Sequence, residues 1–354
     1  MRKNSIITII IAIISIMSGV VISKPVQKTY AYDCCEIVIE QSTGRVLYSH
    51  EADVRRPMAS TTKIITAITA IENFKGKLND MVIVPDCAVG IEGSSVYLKK
   101  GEKLEFIDLL YGLMLRSGND CAVSIAVIVG GSVENFAVMM NDTAVKAGAG
   151  NSNFVNPHGL HDDRHYTTAR DLAKITAYAM NNSVFCDIVS TQKYVSSRTG
   201  ENTEKVFLNK NKLLHSFEGA NGVKTGYTKK AGRCLVSSAT RDGMTVIAVA
   251  LNCPPMFEEC SRLMEKAFGE YEMCNLIPPG ILTYCKIIGE ERFVPLKAGS
   301  EYFYPVKKDG SERIGYEISD VKELNIFPEI SVSNGKLNIY LDKRLIFFTK
   351  LVTI

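Results

Sequence analysis

The sequence predicts an α+β fold in which an antiparallel sheet carries a helical subdomain, followed by a small all-β domain. Strand-like alternation occurs near both ends of the first 275 residues, and helical periodicity fills the stretch between them. This order predicts one sheet whose strands come from distant parts of the chain. Pro278-Pro279-Gly280 then interrupts the pattern, and only short strands and turns follow. We therefore predict an export segment at 1–31, a main domain at 32–275 and a C-terminal β domain at 276–354.

Composition limits the classes of protein that the chain can represent. Its 354 residues are 46% hydrophobic and 22% charged, which suits a folded protein rather than a disordered chain or a coiled coil. The net charge is +3, but four basic residues and no acidic ones lie in 1–31, so the remainder carries −1. A nucleic-acid-binding protein needs a basic surface to neutralise phosphates. The sequence also has neither a GxxxxGKS/T nor a GxGxxG loop, and we expect no nucleic-acid partner.

The first residues have the composition of an export signal. Arg2 and Lys3 precede an apolar run at 6–22, which matches the basic start and hydrophobic centre of a secretory signal. Cleavage is expected after Ser23 or Ala31. A retained membrane anchor is the alternative, because the run is nearly long enough to span a bilayer. In either case we expect the protein to work outside the cytoplasm.

The ten cysteines are predicted to be mostly free thiols. They are scattered along the chain, and several, such as Cys234, lie in apolar runs where a thiol packs like a small hydrophobic side chain. Disulfide frameworks stabilise small secreted domains, whereas a chain of this length can bury a sufficient core without them.

The first half of the main domain is predicted to contain a hairpin and then helices. Residues 36–40 and 45–48 flank Ser42-Thr43-Gly44, a pattern typical of a hairpin. From Ser60 onward, apolar residues recur every three or four positions, as in a helix. Helical periodicity then dominates 105–182, with breaks at 116–120, 130–133 and 149–166.

Strands return in the second half of the chain. We predict strands at 222–227, 234–240 and 244–251, the last two joined by a tight turn at Arg241-Asp242-Gly243, and then a helix over 257–271. Beyond the prolines, the predicted strands are 293–296, 302–306, 315–318, 330–332, 337–341 and 345–351. The last two of these strands are predicted to form a closing hairpin.

Ser60 and Lys63 form the first candidate catalytic pair. They are three residues apart at the start of the predicted helix, so their side chains lie on one face. A serine becomes a nucleophile when a nearby base takes its proton. A lysine can be that base when burial lowers its pKa. The alternative interpretation is that Ser60 caps the helix and Lys63 is solvated.

Two further motifs offer complementary groups. Ser117 and Asn119 lie between two apolar helical stretches, where a hydroxyl can relay a proton and an amide can hold a substrate amide or the lysine. Lys224 and Thr225 lie on a predicted strand and can bind a carboxylate by charge and by hydrogen bond. Gly226 lets a ligand approach that strand closely. Taken singly, the first motif also suits a capped turn and the second an ordinary surface strand.

The combination of the three motifs resembles a known group of enzymes. Ser117 follows Ser60 by 57 residues, and Lys224 follows Ser117 by 107. Ser-x-x-Lys, Ser-x-Asn and Lys-Thr-Gly in this order resemble the motifs of the serine penicillin-recognising enzymes, which have a β-lactamase/transpeptidase-like fold. Within that group, the chain resembles the low-molecular-mass D-alanyl-D-alanine carboxypeptidases over about 33–275 and, more weakly, over the C-terminal β domain. The closer resemblance depends on Asn156-Pro157-His158-Gly159-Leu160, on His165-Tyr166-Thr167-Thr168-Ala169 with Asp171, and on Gly222-Val223-Lys224-Thr225-Gly226-Tyr227-Thr228.

The resemblance implies which residues perform the acid–base chemistry. Ser60 would attack the carbonyl between the two terminal D-alanines of a peptidoglycan stem peptide and form an acyl-enzyme. Lys63 would be the general base, neutral because burial and nearby Lys224 both disfavour its charge. Ser117 would pass the proton to the leaving amine, and Asn119 would orient Lys63 and the substrate amide.

The resemblance also implies how the substrate is held. The backbone N–H groups of Ser60 and Tyr227 would form the oxyanion hole, beside Gly226. Lys224 and Thr225 would bind the terminal carboxylate, which explains a preference for a free chain end. The expected partners are stem peptides ending in D-Ala-D-Ala and β-lactam antibiotics, with no metal and no cofactor. Relatives often end in a membrane-lying amphipathic helix, whereas a hairpin is predicted here. Membrane contact is therefore expected only through an uncleaved 1–31.

Several alternatives share these motifs. A class A β-lactamase needs a glutamate-activated water, but 150–170 contains no Glu, so this activity is disfavoured. A D,D-endopeptidase acting on cross-links would use the same site, and a β-lactam sensor would be acylated without turning over. His158, His161 and His165 lie near Asp162 and Asp163, but their spacing matches no zinc motif, and we expect them to stabilise a turn.

Overall fold

The computed structural model describes residues 33–199, 204–321 and 335–354. It confirms the predicted α+β class and the origin of the main sheet from distant parts of the chain. β1 (Cys35–Glu40) pairs with β2 (Val46–His50) and with β9 (Met244–Leu251), all antiparallel. β8 (Gly232–Arg241) and β7 (Ala220–Thr228) complete the sheet in the order β2-β1-β9-β8-β7.

The predicted turns of this sheet are confirmed. Gly44 has a φ of +67° in the β1–β2 turn, and Asp242 and Gly243 have φ values of +48° and +76° between β8 and β9. Two successive left-handed residues are what a two-residue type I′ hairpin requires. β9 runs over the predicted 244–251, and its almost wholly apolar sequence is buried on both faces of the sheet.

The helical subdomain lies between β2 and β7 in the sequence, and its breaks fall where they were predicted. A 3₁₀ turn at Ala59–Thr62 precedes α1 (Lys63–Asn73), whose residues Lys63–Ala70 are buried all round, as expected of a helix inside a core. The other helices are α2 (Phe106–Leu115), α3 (Asn119–Gly130), α4 (Val133–Lys146), α5 (Ala169–Ala179), α6 (Ser183–Ser190) and α7 (Leu213–Ser216). Two short antiparallel strand pairs accompany them, β3 (Met81–Ile83) with β4 (Lys103–Glu105), and β5 (Lys193–Val195) with β6 (Val206–Leu208).

The main sheet separates two hydrophobic cores. One face packs against α5 and the rest of the helical subdomain, and this core contains Met58, Ala59 and Ile64 around the start of α1. The other face packs against α8 (Met256–Glu270), the helix predicted over 257–271. The start of α1 is therefore fixed between the sheet and the other helices, at the edge formed by β7.

The C-terminal sheet confirms most of the predicted strands after the prolines. β10 (Tyr271–Asn275) pairs with β13 (Phe303–Lys307), although a strand at 271–275 was not predicted. A second sheet contains β11 (Thr283–Lys286), β12 (Phe293–Ala298), β14 (Ile314–Ser319), β15 (Lys336–Leu341) and β16 (Arg344–Thr353). Its strand order is β11-β12-β16-β15-β14, and β15 and β16 form the predicted closing hairpin. The predicted strand at 330–332 lies outside the described residues.

The structure also bears on two features of the sequence, its apolar segments and its cysteines. Among the described residues, no single helix has both the length and the apolar character to cross a bilayer, and α3 with α4, bent by 86°, meets these criteria only as a pair. The predicted export segment lies outside the described residues. Each of the ten cysteines carries a free thiol, and Cys87 is the exposed one among those ten described positions.

Candidate active site

Ser60 lies in the 3₁₀ turn that leads into α1, and its backbone is held by its neighbours. Thr61 Oγ1 donates to the Met58 carbonyl at 2.7 Å, and Thr62 Oγ1 donates to the Ala59 carbonyl at 2.9 Å. Ala59 has a φ of +50°, an unusual left-handed conformation for alanine. Such strain persists only where the surrounding structure fixes it, and it is typical of functional sites.

Lys63 is buried beside Ser60, contrary to the alternative in which it is a solvated helix residue. Its side chain is 0% exposed. Its Nζ atom lies 3.1 Å from Ser60 Oγ, 2.6 Å from Asn119 Oδ1 and 2.7 Å from the His158 carbonyl oxygen. The spacing of Ser60 and Lys63 therefore produces the contact that it predicted, since three residues apart on a helix is one turn.

Burial lowers the pKa of Lys63 well below its usual value, and the charge of nearby Lys224 lowers it further. A neutral amine has two hydrogens and one lone pair. Two of its three neighbours, the Asn119 and His158 oxygens, can only accept hydrogen bonds. When Lys63 is neutral, it donates to these two oxygens and directs its lone pair to the hydroxyl of Ser60.

Asn119 and Ser117 reach the site from the junction of α2 and α3. Ser117 is buried and has a φ of +63°, which sharply turns the chain before α3 begins at Asn119. The Asn119 backbone N–H donates to the Ser94 carbonyl at 2.7 Å, and its side-chain Nδ2 donates to the Glu92 carbonyl. Because Nδ2 is engaged in this way, Oδ1 is directed to Lys63. The neighbouring Asp120 carboxylate fixes the same segment by accepting from backbone N–H groups of Val96 and Leu98 and from Ser95 Oγ.

Lys224, Thr225 and Gly226 lie on β7, beside the Ser60 turn. Lys224 is 2% exposed, donates from Nζ to the Thr225 carbonyl at 3.0 Å, and has its pKa lowered to about 7 by burial and by Lys210. A Cβ atom on Gly226 would lie 3.1 Å from the backbone nitrogen of Ser60 and from two other backbone atoms of that turn. Glycine is therefore what permits β7 to approach the serine so closely.

The loop that contains His158 and His165 packs against the Ser60 turn. The ring nitrogens of His165 connect the loop to the turn. His165 Nδ1 accepts from the Val155 N–H at 3.1 Å, and its Nε2 lies 2.8 Å from Thr62 Oγ1. Because Thr62 Oγ1 already donates to Ala59, Nε2 is assigned as the donor in this pair. Burial lowers the pKa of His165 to about 4. Both ring nitrogens therefore have protein partners, which agrees with the predicted structural role.

Gly159 fits this loop against the serine turn. It has a φ of +87°, and a Cβ atom there would lie 1.9 Å from the Ala59 carbonyl oxygen. Asn156 closes the loop, since its Oδ1 accepts from the Gly159 N–H at 2.7 Å and its Nδ2 donates to the Leu160 carbonyl at 3.0 Å. The His158 carbonyl is thereby presented to Lys63, and burial lowers the pKa of the His158 ring to about 3.

A cleft of about 310 Å³ opens above these groups, and two of its cations were missed by the sequence analysis. Lys210 donates from Nζ to Ser94 Oγ at 3.2 Å, and the Arg233 guanidinium lies 5.7 Å from the ring centre of Tyr227, which is 63% exposed. Neither cation belongs to a motif, so no sequence signal indicated them. The described lining contains no carboxylate, and consists of Ser60, Ser94, Ser117, Lys210, Thr225, Gly226, Tyr227, Arg233, Met256 and Phe257.

Fold and site together define the class of protein. A serine at the start of a buried helix, with a buried lysine in contact and a positively charged cleft beside it, has the groups required for acyl transfer from a substrate with an anionic end. The sequence profile of the D-alanyl-D-alanine carboxypeptidases matches residues 26–254. The chain belongs to the D-alanyl-D-alanine carboxypeptidase family.

Individual relatives agree with this assignment. The D-alanyl-D-alanine carboxypeptidase DacF of Bacillus subtilis is 32% identical over 299 residues, which cover 81% of this chain and 74% of the relative. The D-alanyl-D-alanine carboxypeptidase of Streptomyces sp. strain K15 is 36% identical over 248 residues, covering 65% of this chain and 85% of the relative. Penicillin binding protein 5 from Haemophilus influenzae superposes with a TM-score of 0.75 at 27% identity, over 90% of this chain and 96% of that structure. The likeness in structure confirms the predicted fold class.

Proposed function

We propose that the protein is a serine-type carboxypeptidase that removes the terminal D-alanine from peptidoglycan stem pentapeptides through an acyl-enzyme on Ser60, and that β-lactams acylate the same serine. The observation that carries this proposal is the contact of 3.1 Å between Ser60 Oγ and the fully buried Lys63 Nζ. A serine hydroxyl is a weak nucleophile by itself, so a neutral amine at this distance is the feature that activates it.

Acylation follows from this geometry. Ser60 Oγ attacks the carbonyl carbon of the penultimate D-alanine while its proton passes to Lys63 Nζ. The C–N bond then breaks, the nitrogen of the departing D-alanine receives the proton by way of Ser117, and the acyl group remains on Ser60. Backbone N–H groups of Ser60 and Tyr227 are proposed to stabilise the oxyanion. Donors of this kind each contribute about 3–4 kcal/mol of transition-state stabilisation in other enzymes.

Hydrolysis of the acyl-enzyme completes the cycle. Lys63, again neutral after the amine has left, takes a proton from a water molecule that attacks the ester carbonyl, and Ser60 recovers its proton. This route uses Lys63 in both halves of the reaction and needs no glutamate. The absence of Glu from 150–170 therefore opposes a class A β-lactamase but does not oppose a carboxypeptidase.

The terminal carboxylate of the substrate is proposed to bind between Lys224 and Thr225, with Asn119 holding the substrate amide. The Lys210 and Arg233 charges in the cleft favour the same anionic end.

Since the family acts on a bacterial cell-wall polymer, we also propose that residues 1–31 export the protein, that 32–275 is the catalytic domain and that 276–354 is a separate β domain. Cell fractionation distinguishes the two alternatives for 1–31: a protein with a cleaved signal is released from the membrane, whereas one with an uncleaved anchor stays with it.

The decisive experiment measures D-alanine release from a diacyl-Lys-D-Ala-D-Ala tripeptide by the purified protein, by its Ser60→Ala variant and by Ser190→Ala as a control at an exposed serine. The proposal expects release by the wild type and by Ser190→Ala, and none by Ser60→Ala. Release that survives in Ser60→Ala would refute the nucleophile. No release by the wild type, with labelling by a fluorescent penicillin retained, would favour a sensor or an endopeptidase, and a cross-linked dimer substrate separates those two.

A further inference from the structure

Two thiols and a carboxylate meet in a buried cluster that the proposed reaction does not use. Cys34, Glu36 and Cys253 each offer one sulfur or oxygen atom, and these atoms all lie within 4.8 Å of one another. Their exposed fractions are 8%, 5% and 1%. The two cysteines belong to the core between the main sheet and α8, on the opposite face of the sheet from the core around the start of α1.

The fold assembles this cluster from residues more than two hundred positions apart. Cys34 and Glu36 are two residues apart at the start of β1, so their side chains lie on the same face of the sheet. β9 pairs antiparallel with β1 and places Ala250 opposite Glu36. Asn252 then adopts a φ of +53°, and this left-handed turn directs Cys253 onto the face where regular alternation would place Asn252. The Cys253 N–H is held by the Arg233 carbonyl at 2.8 Å.

Glu36 is a buried carboxylate with few partners. Its oxygens lie 3.4 Å from Tyr48 Oη and 3.8 Å from Cys253 Sγ, both at the long end for hydrogen bonds. Within 33–199, 204–321 and 335–354 Glu36 forms no ion pair, and Arg262, the cation on the nearby surface of α8, pairs with Glu259. A buried carboxylate is costly unless a cation compensates it. The site therefore has the donors for a metal ion and lacks the positive charge that one would supply.

We propose that Cys34, Glu36 and Cys253 bind a thiophilic divalent cation of the zinc class. Tetrahedral zinc takes sulfur at about 2.3 Å and carboxylate oxygen at about 2.0–2.2 Å, which puts neighbouring ligand atoms about 3.5–3.8 Å apart. The ligand atoms, which lie within 4.8 Å of one another, would have to approach by up to about 1 Å to reach these values. Binding replaces the thiol protons, so that one M²⁺ and two thiols give one metal dithiolate and two H⁺.

The bound ion would have a structural role. Tyr48 Oη would hold the second oxygen of Glu36, as outer partners of metal-binding carboxylates commonly do. The fourth position is left to water. The ion would connect the start of β1 to the segment between β9 and α8. It would stand apart from the Ser60 reaction, which requires no metal.

The test uses the full chain, purified with a reductant and stripped of metal, and then titrated with Co²⁺ or Zn²⁺ alone. We expect one ion per chain, a sulfur-to-cobalt charge-transfer band and a rise in the thermal midpoint with added Zn²⁺. Cys34→Ser and Cys253→Ser should each lose about half of the charge-transfer intensity, because each removes one of two thiolates. The affinity for the metal ion should fall at least about tenfold in both variants and in Glu36→Gln. Removing a group that only hydrogen-bonds to a metal ligand already has an effect of that size.

Cys87→Ser is the control, because Cys87 is an exposed thiol outside the cluster, and it should bind like the wild type. Circular dichroism checks that each variant is folded, and the wild-type cobalt spectrum tests the site even where a variant fails to fold. A wild-type spectrum without a thiolate band would overturn the proposal. So would unchanged affinity in Cys253→Ser, or a Cys34–Cys253 disulfide found by mass spectrometry in protein isolated without reductant.

Discussion

The Nζ atom of Lys63 lies 2.6 Å from Oδ1 of Asn119, and both side chains are buried. This contact fixes the orientation of the amine, because the Asn119 amide is itself anchored through Nδ2 to the Glu92 carbonyl. A neutral acceptor is important here. It takes a hydrogen from the amine without adding a negative charge, so the pKa of Lys63 stays low and the lone pair stays available to Ser60.

Asn119→Asp is predicted to slow acylation of Ser60 by about a hundredfold or more at neutral pH, the range expected when general-base catalysis is lost. A carboxylate against Lys63 favours the ammonium form and raises the pKa of the lysine. Acylation by a fluorescent penicillin, followed against pH, should therefore recover as the pH rises. Asn119→Ala is the matched control, which removes the acceptor without adding charge. Equal pH profiles for the two variants would contradict the electrostatic explanation.

Gly226→Ala is predicted to slow acylation by more than about tenfold while leaving the protein folded, because small displacements of reacting groups have effects of this order. The added Cβ would lie 3.1 Å from backbone atoms of the Ser60 turn, so β7 and the turn must separate. Gly269→Ala in α8 is the control, with no atom within 4 Å of its Cβ position. It should leave acylation unchanged and raise the free energy of unfolding by about 0.5–1 kcal/mol. Wild-type acylation by Gly226→Ala would show that the close approach is dispensable.

The sequence predicted those parts of the molecule that depend on local pattern. β9 at Met244–Leu251, the turn at Asp242-Gly243 and the contact of Ser60 with Lys63 all follow from periodicity, from left-handed turn residues or from spacing along one helix. The meeting of the three motifs was predicted only through resemblance, since residues 164 positions apart have no local signal that places them together.

Other features depend on tertiary pairing and could not be predicted in this way. Arg233 reaches the cleft because β8 pairs with β7, and the carbonyl of His158 reaches Lys63 because Gly159 lets a loop approach Ala59. Backbone carbonyls carry no residue-specific signal in a sequence. β10 was missed for a similar reason, since it pairs with a strand that lies beyond the prolines.

Arg233→Gln is predicted to raise KM for a substrate with a terminal carboxylate by about tenfold, with a smaller change in kcat. Arg233 lines the cleft, lies over the ring of Tyr227 and has no acidic partner in the part of the chain that the structure describes. Its charge is therefore available to an anionic ligand, and charge-assisted hydrogen bonds contribute about 1.5–3 kcal/mol. Lys229→Gln is the control, because it removes one positive charge near β7 from outside the cleft lining. Equal changes in KM for the two variants would indicate a general charge effect instead.

His165 is predicted to make the stability of the protein sensitive to acid. Its pKa is about 4 in the folded protein and 6.5 when unperturbed, so below pH 6.5 the unfolded chain binds a proton that the folded one excludes. The contribution of His165 to the free energy of unfolding should therefore fall by about 3 kcal/mol between pH 6.5 and about 4, in addition to any contribution from other groups. Chemical denaturation across this range should give a shallower slope for His165→Gln, whatever its stability at pH 7, and an unchanged slope for the exposed control His50→Gln. Parallel wild-type and His165→Gln curves would mean that His165 is protonated in the fold.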